Sequence, residues 1–174
     1  YEISEWLVGS EMCIRDRVQP EQHGDIVISS NGGYPLDQNI YQSVKGLTAA
    51  EAAAAPGAVL IMVSSCNDGH GGENFYRALR DCVSPQQLTE QILATPQDQT
   101  MPDQWEFQIL CRVLCKHHVI YVTDPMQKKT VEDMKIAWAP DVDTALQQAR
   151  KIKGENAHLV VIPNGISVMV RESV

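Results

Sequence analysis

Residues 58–63 read AVLIMV, six apolar side chains without a polar break. A strand that faced water on one side would alternate apolar and polar residues. This one does not, so it reads as a strand buried on both faces. Helices on both sides of a mostly parallel sheet supply that environment. The run is far short of the ~20 apolar residues that a membrane-crossing helix needs, so it predicts a central strand.

The flanking sequence supplies the other elements. Residues 25–29 (DIVIS) follow Gly24 as a β-branched strand, and residues 30–36 (SNGGYPL) are turn formers. Asp37 reads as an N-cap for a helix over 38–45 that stops at Gly46. Thr48 and Glu51 form a capping-box pattern that opens a second, alanine-rich helix ended by Pro56-Gly57. A glycine-rich loop over 66–72 precedes a helix over 73–81, and Ser84-Pro85 starts another to about 94. After a polar loop over 95–103, residues 105–117 carry Phe107, Leu110, Cys111 and Leu114 on one helical stripe. A strand over 118–123, a short helix over 131–136, an Asp141-capped helix over 141–151, a buried strand over 158–162 and a last strand over 167–170 complete the pattern. Strand and helix alternate with short connections. The predicted fold class is α/β, three-layered, with a mostly parallel sheet and helices on both faces, Rossmann-like in architecture.

The first 17 residues fall outside that pattern. They have no signal-peptide order. Val8 to Arg17 (VGSEMCIRDR) resembles a transposase adapter from sequencing-library preparation, translated in frame. Residues 1–17 are therefore expected to be adapter read-through, with the domain proper over 18–174 and a preceding domain missing. Excluding them removes four of the 22 acids and two of the 14 bases, and leaves a net charge of −6. There is no basic run to mark a nucleic-acid footprint. Cys66, Cys82, Cys111 and Cys115 lie in or beside apolar segments, not at disulfide-framework spacing, and read as reduced thiols of a cytoplasmic protein.

In such a sheet, ligands bind where strand carboxyl ends lead into helix N-termini. Two loops qualify. The first leads into Tyr41, Gln42 and Lys45. Gln42 and Lys45 are three residues apart on one helix face, an amide and a cation that suit a carboxylate and its neighbouring hydroxyl. The second holds Gly69-His70-Gly71-Gly72, reminiscent of a dinucleotide fingerprint, but its third glycine position is Asn74 and no ribose-binding acid follows. A tight turn that needs glycine backbone is the simpler reading. Cys111, Cys115, His117 and His118 lack a second ligand pair at zinc-site spacing, so no metal is assigned. His70 has no visible acid/base partner.

Two long words decide between these readings. SSNGGYPLDQNIYQSVKGLTAAEAA and CNDGHGGENFY resemble the C-terminal domain of the nickel-dependent lactate racemase family, and the similarity extends over residues 18–174. The resemblance implies a two-domain enzyme with its active site in the cleft between domains. It implies inversion of the hydroxyl-bearing carbon of a small 2-hydroxy acid, by hydride transfer to and from a nickel-pincer nucleotide held by a lysine, with two histidines as acid and base. Lys45 then matches a carboxylate-neutralising position and Gln42 one that orients the polar end of the substrate. Tyr41 would line the pocket. Trp105, which pattern alone places in the core, would close the site, and Phe107 would add apolar wall. The cofactor lysine, the nickel ligand and the catalytic histidines belong to the family's other domain, so no catalytic residue is assigned here. The expectation is the substrate-cleft domain of a lactate-type racemase, inactive alone. The alternative is a stand-alone, non-catalytic α/β binding module. A nucleotide-binding domain using Gly69–Gly72 ranks third.

Overall fold

The computed structural model describes residues 17–18 and 20–171. The expected adapter segment lies outside the described residues except for Arg17. Strand β1 (Arg17–Val18) pairs in parallel with β7 (Met169–Val170), apart from the main sheet.

The main sheet is five-stranded and wholly parallel. Its members are β2 (Gly24–Ser30), β3 (Ala54–Val63), β4 (His118–Val122), β5 (Ala137–Ala139) and β6 (Leu159–Ile162), in the spatial order β5-β4-β3-β2-β6. The expected α/β class holds, and the apolar run over 58–63 forms most of the central strand β3, with Ala58 to Met62 fully buried. Successive strands step outward from β2 to β5. The chain then returns across the sheet through α6 (Val142–Lys153) and lays β6 on the other side of β2. The direction of winding reverses between β2 and β6, which is where open α/β sheets place ligands.

Alternate side chains of the strands fall into two cores. Val27, Leu60, Met62, Val119 and Tyr121 face α1 (Ile40–Ala52), α2 (Glu73–Asp81), α3 (Pro85–Ala94) and α4 (Gln104–Lys116). Ile26, Val59, Ile61, Ile120 and Val122 face Ala145 and Ala149 of α6. The small side chains let α6 sit close. The remaining helix among the described residues, α5 (Lys128–Asp133), joins β4 to β5.

Three expectations are corrected. The helix does not stop at Gly46, and no new one starts at Thr48: α1 runs unbroken from Ile40 to Ala52, capped by Asn39, not Asp37. Gly46 is there for contact. A Cβ on it would lie 2.8 Å from Asn31 Oδ1 and 2.9 Å from Ser30 O and from the end of Met62. Pro56-Gly57 does not end a helix; β3 already begins at Ala54 and passes through it. Strand β6 is not the buried strand expected over 158–162 but an edge, with Val161 56% exposed. Its exposed residues, Leu159 and Val161, share the face of Ile26 and Ile28, and that face is otherwise packed by α6. The short strand β5 was hidden in an apparent loop, because three residues are too few to show a period.

Candidate functional site

The site is built at the carboxyl end of the sheet, from the first turns of α1 and α4. The side chain of Asn31, just beyond β2, is buried and clamps α1 in place. Its Oδ1 accepts from Gly46 N at 2.9 Å, and its Nδ2 donates to Gln42 O at 3.1 Å and also to Leu36 O. Ser29 Oγ donates to Gly46 O at 3.0 Å. Gly165 packs against the same spot, where a Cβ would come within 2.8 Å of Gly46 O, and its N–H donates to Ser30 O at 2.8 Å. The loops that leave β2 and β6 are thus stapled to each other and to α1, and this fixes where Tyr41, Gln42 and Lys45 emerge.

Lys45 is exposed, and its Nζ donates to Gln42 Oε1 at 2.7 Å. The i, i+3 spacing brings the pair together as the sequence suggested. Gln42 uses its carbonyl oxygen on Lys45, so its NH₂ remains a donor for an acceptor presented beside the ammonium. Tyr41 packs edge-on against Trp105 with ring centroids 5.7 Å apart, and against Phe75 at 5.3 Å. Its hydroxyl lies 3.4 Å from Asp103 Oδ1. Burial, Asp103 and Glu106 hold the Tyr41 phenol in its protonated form. Trp105 is 53% exposed, so the pattern that placed it in the core misreads it. Phe107 is the reverse case: at 1% exposure it belongs to the core between α4 and the sheet and offers no open wall.

The glycine-rich loop serves α1. Gly69 O accepts from Ile40 N at 3.0 Å, His70 O from Tyr41 N at 3.1 Å, and Asn39 Oδ1 from Gln42 N at 2.9 Å. The first backbone donors of α1 are therefore occupied. Gly71 has φ +79°, and a Cβ there would lie 2.4 Å from Asn39 Cγ. His70 stacks flat on Tyr76 at 4.7 Å and lies 3.6 Å from Glu73. Cys111 is buried, with its thiol pushed up to about 12 by burial, so it is core and not a nucleophile or thiolate ligand. Burial also holds His117 below its ordinary value. Among the described residues no group of three His, Cys, Asp or Glu side chains could hold a metal ion.

Sequence reasoning missed three residues here. Asn31 looked like a turn former. Asp103, at the α4 N-cap position with φ +65°, looked like loop. Glu106 did leave a signal. It stands four before Leu110 and seven before Val113, on the buried stripe of α4, and it is 1% exposed.

Comparison with known proteins follows the same lines. Residues 19–170 match the family model described as the lactate racemase C-terminal domain. The chain is 53% identical over 166 residues to the lactate racemase of Thermoanaerobacterium thermosaccharolyticum, covering 95% of this chain and 39% of that protein. It is 48% identical over 147 residues to the lactate racemase of Lactiplantibacillus plantarum, covering 84% and 35%. The solved structure of the T. thermosaccharolyticum lactate racemase apoprotein superposes with a TM-score of 0.93 at 47% identity, over 98% of this chain and 41% of that one. The chain therefore spans well under half the length of the relatives it matches.

Proposed function

The chain belongs to the lactate racemase C-terminal domain family, and from that premise we propose that it is the substrate-gripping domain of a lactate-type 2-hydroxyacid racemase whose catalytic groups come from a preceding domain. The observation that carries the reading is the Lys45–Gln42 pair, 2.7 Å apart on the first turns of α1 and beside the Tyr41–Trp105 edge contact. Lys45 neutralises the substrate carboxylate. The Gln42 NH₂ donates to the oxygen on the reacting carbon, as hydroxyl or as carbonyl. Tyr41 and Trp105 supply the apolar wall that excludes water, and a drier site strengthens the Lys45 contact.

Exposed apolar side chains support a cleft at this end. Tyr34 and Leu36 follow β2, Met101 and Trp105 flank the start of α4, and Met126 follows β4; all five are exposed. The large side chains in these carboxyl-end loops suit a surface that a second domain covers. This favours the cleft over the stand-alone module. The second domain, on this reading, holds the nickel-pincer nucleotide and the acid/base pair. What Gln42, Lys45, Tyr41 and Trp105 contribute is binding and orientation, which on their own assemble no reaction. Among the described residues the four cysteines are unpaired, which suits a cytoplasmic setting.

The test compares this chain with the full-length, cofactor-loaded protein, following conversion of L-lactate to D-lactate by chiral chromatography. The full-length protein should racemise lactate and this chain should not. Racemisation by the chain alone, or a loaded full-length protein that leaves lactate chirality unchanged, would overturn the reading.

A further inference from the structure

Asp103 occupies the N-cap position of α4 but does not cap it. Its backbone is left-handed, with φ +65°, and its side chain makes no bond to the first turn. An N-cap residue is normally extended and spends its side-chain oxygen on a helix N–H. The Asp103 carboxylate goes elsewhere. Its Oδ1 accepts from the Tyr41 hydroxyl at 3.4 Å. A Cβ on Gly72 would lie 3.4 Å from its Oδ2 and 3.2 Å from the Tyr41 ring. The carboxylate therefore sits at the hydroxyl end of Tyr41, whose ring meets Trp105 edge-on at 5.7 Å. Burial and then the charge of Asp103 hold the Tyr41 phenol protonated.

Among the described residues no Lys, Arg or His lies within ion-pair distance of Asp103. The other acid of this turn, Glu106, is 1% exposed and belongs to the interior. Asp103 is only half-buried, so the aromatic wall carries one accessible, unneutralised carboxylate. Tyr41 and Lys45 are four residues apart and share one face of α1. The wall thus begins one helical turn from the ammonium. With the substrate carboxylate on Lys45 and its neighbouring oxygen on the Gln42 amide, the substituent on the reacting carbon is left to the Tyr41–Trp105 wall.

We propose that Asp103 is a specificity-determining residue that keeps dicarboxylates out, by placing an unpaired negative charge where the substituent of the 2-hydroxy acid lies. This role rests on the grip given to Lys45 and Gln42 above. A methyl substituent meets the two rings and brings no charge. A substituent that ends in a carboxylate meets Asp103 as a like charge, in a site from which Tyr41 and Trp105 exclude water, and there the repulsion is strong. An uncompensated charge set against the wrong ligand discriminates as well as contacts made to the right one. The substrate class that fits is the monocarboxylate 2-hydroxy acids with a small, uncharged substituent.

The test uses the full-length, cofactor-loaded protein and two inhibitors of lactate racemisation that are nearly equal in size: malate, and malate with its distal carboxylate replaced by an amide. In wild type the amide should inhibit at least about tenfold more tightly than malate. D103N keeps an acceptor for Tyr41 and a residue type that tolerates left-handed backbone. In it the two inhibition constants should come within about threefold of each other. A residue that only held the first turn of α4 in place would move both constants together and leave their ratio as it was. Equal inhibition by malate and its amide in wild type, a comparison that needs no variant to fold, overturns the proposal. So does a ratio that persists in D103N. In both cases lactate is still racemised and the functional reading stands. A wild type that leaves lactate chirality unchanged brings down both.

Discussion

Lys45 Nζ donates to Gln42 Oε1 at 2.7 Å, so the amide oxygen spends itself on the cation and its NH₂ remains a donor. Under the proposed function both groups act on one small anion, the ammonium on its carboxylate and the amide on the adjacent oxygen. Neither has a rigid partner of its own, and both depend on α1 being held where it is.

Replacing Lys45 by Ala in the full-length protein removes the carboxylate's counter-charge. The expected loss is ~2–5 kcal/mol of substrate interaction, or at least about 30-fold in KM for lactate. Thermal stability should not move, since the side chain is exposed. An unchanged kcat/KM would remove Lys45 from the site.

Trp105 and Phe107 are two residues apart and should behave as opposites. Trp105→Ala deletes a half-exposed ring and an edge contact worth ~0.5–1.5 kcal/mol, so kcat/KM should fall while stability drops by only about that amount. Phe107→Ala opens a cavity in the main core and should cost ~3–5 kcal/mol of stability. Equal destabilisation by both would mean that Trp105 is core, as its pattern first suggested.

The contrast shows what a period can and cannot reveal. A 3.6-residue stripe marks one face of α4, but at the first turn the exposed and buried faces are one residue apart and the stripe has nothing before it to fix its phase. Trp105 and Phe107 are both large and apolar, and the pattern gives them one meaning. The sheet was legible because β3 announces double burial in six consecutive residues and β2 and β4 repeat its β-branched character. Strand order was not, since it depends on α6 crossing back to the far side of β2. The single helix α1 was split because Gly46 is a stop signal by local preference, and only the tertiary contact with Asn31 and Gly165 explains why it stands mid-helix.

Glu106 should write itself into the pH dependence of stability. Its folded-state value, about 7, lies above the unfolded value near 4.5, so the folded chain holds a proton that the unfolded chain gives up. Stability from this group is complete below about pH 4.5 and is lost as pH rises toward 7 and beyond, on the order of 3 kcal/mol in all. His117 works the other way in part of that window, because burial lowers its value and its stability contribution grows as pH rises toward 6.5. The measurable quantity is therefore the difference in unfolding free energy between wild type and E106Q from pH 5 to 8. That difference should shift in favour of E106Q with rising pH. A constant difference would mean that Glu106 does not titrate in this window.

Gly46→Ala tests how the grip is held. The new methyl would meet Asn31 Oδ1, Ser30 O and the end of Met62 inside 3 Å; Asn31 is fixed by the clamp between β2 and α1, and Ser30 O is bonded to Gly165 N. The helix must move outward or the clamp must open, at a cost of ~1–3 kcal/mol of stability. Because the Asn31 amide ties Gly46 N to Gln42 O, the displacement passes straight to the turn that carries Gln42 and Lys45. The variant should therefore lose kcat/KM for lactate in the full-length protein at temperatures where it is still folded, with KM more affected than kcat. If activity below the unfolding transition stayed at the wild-type level, α1 could shift without disturbing the Gln42–Lys45 pair, and the clamp would matter for stability alone.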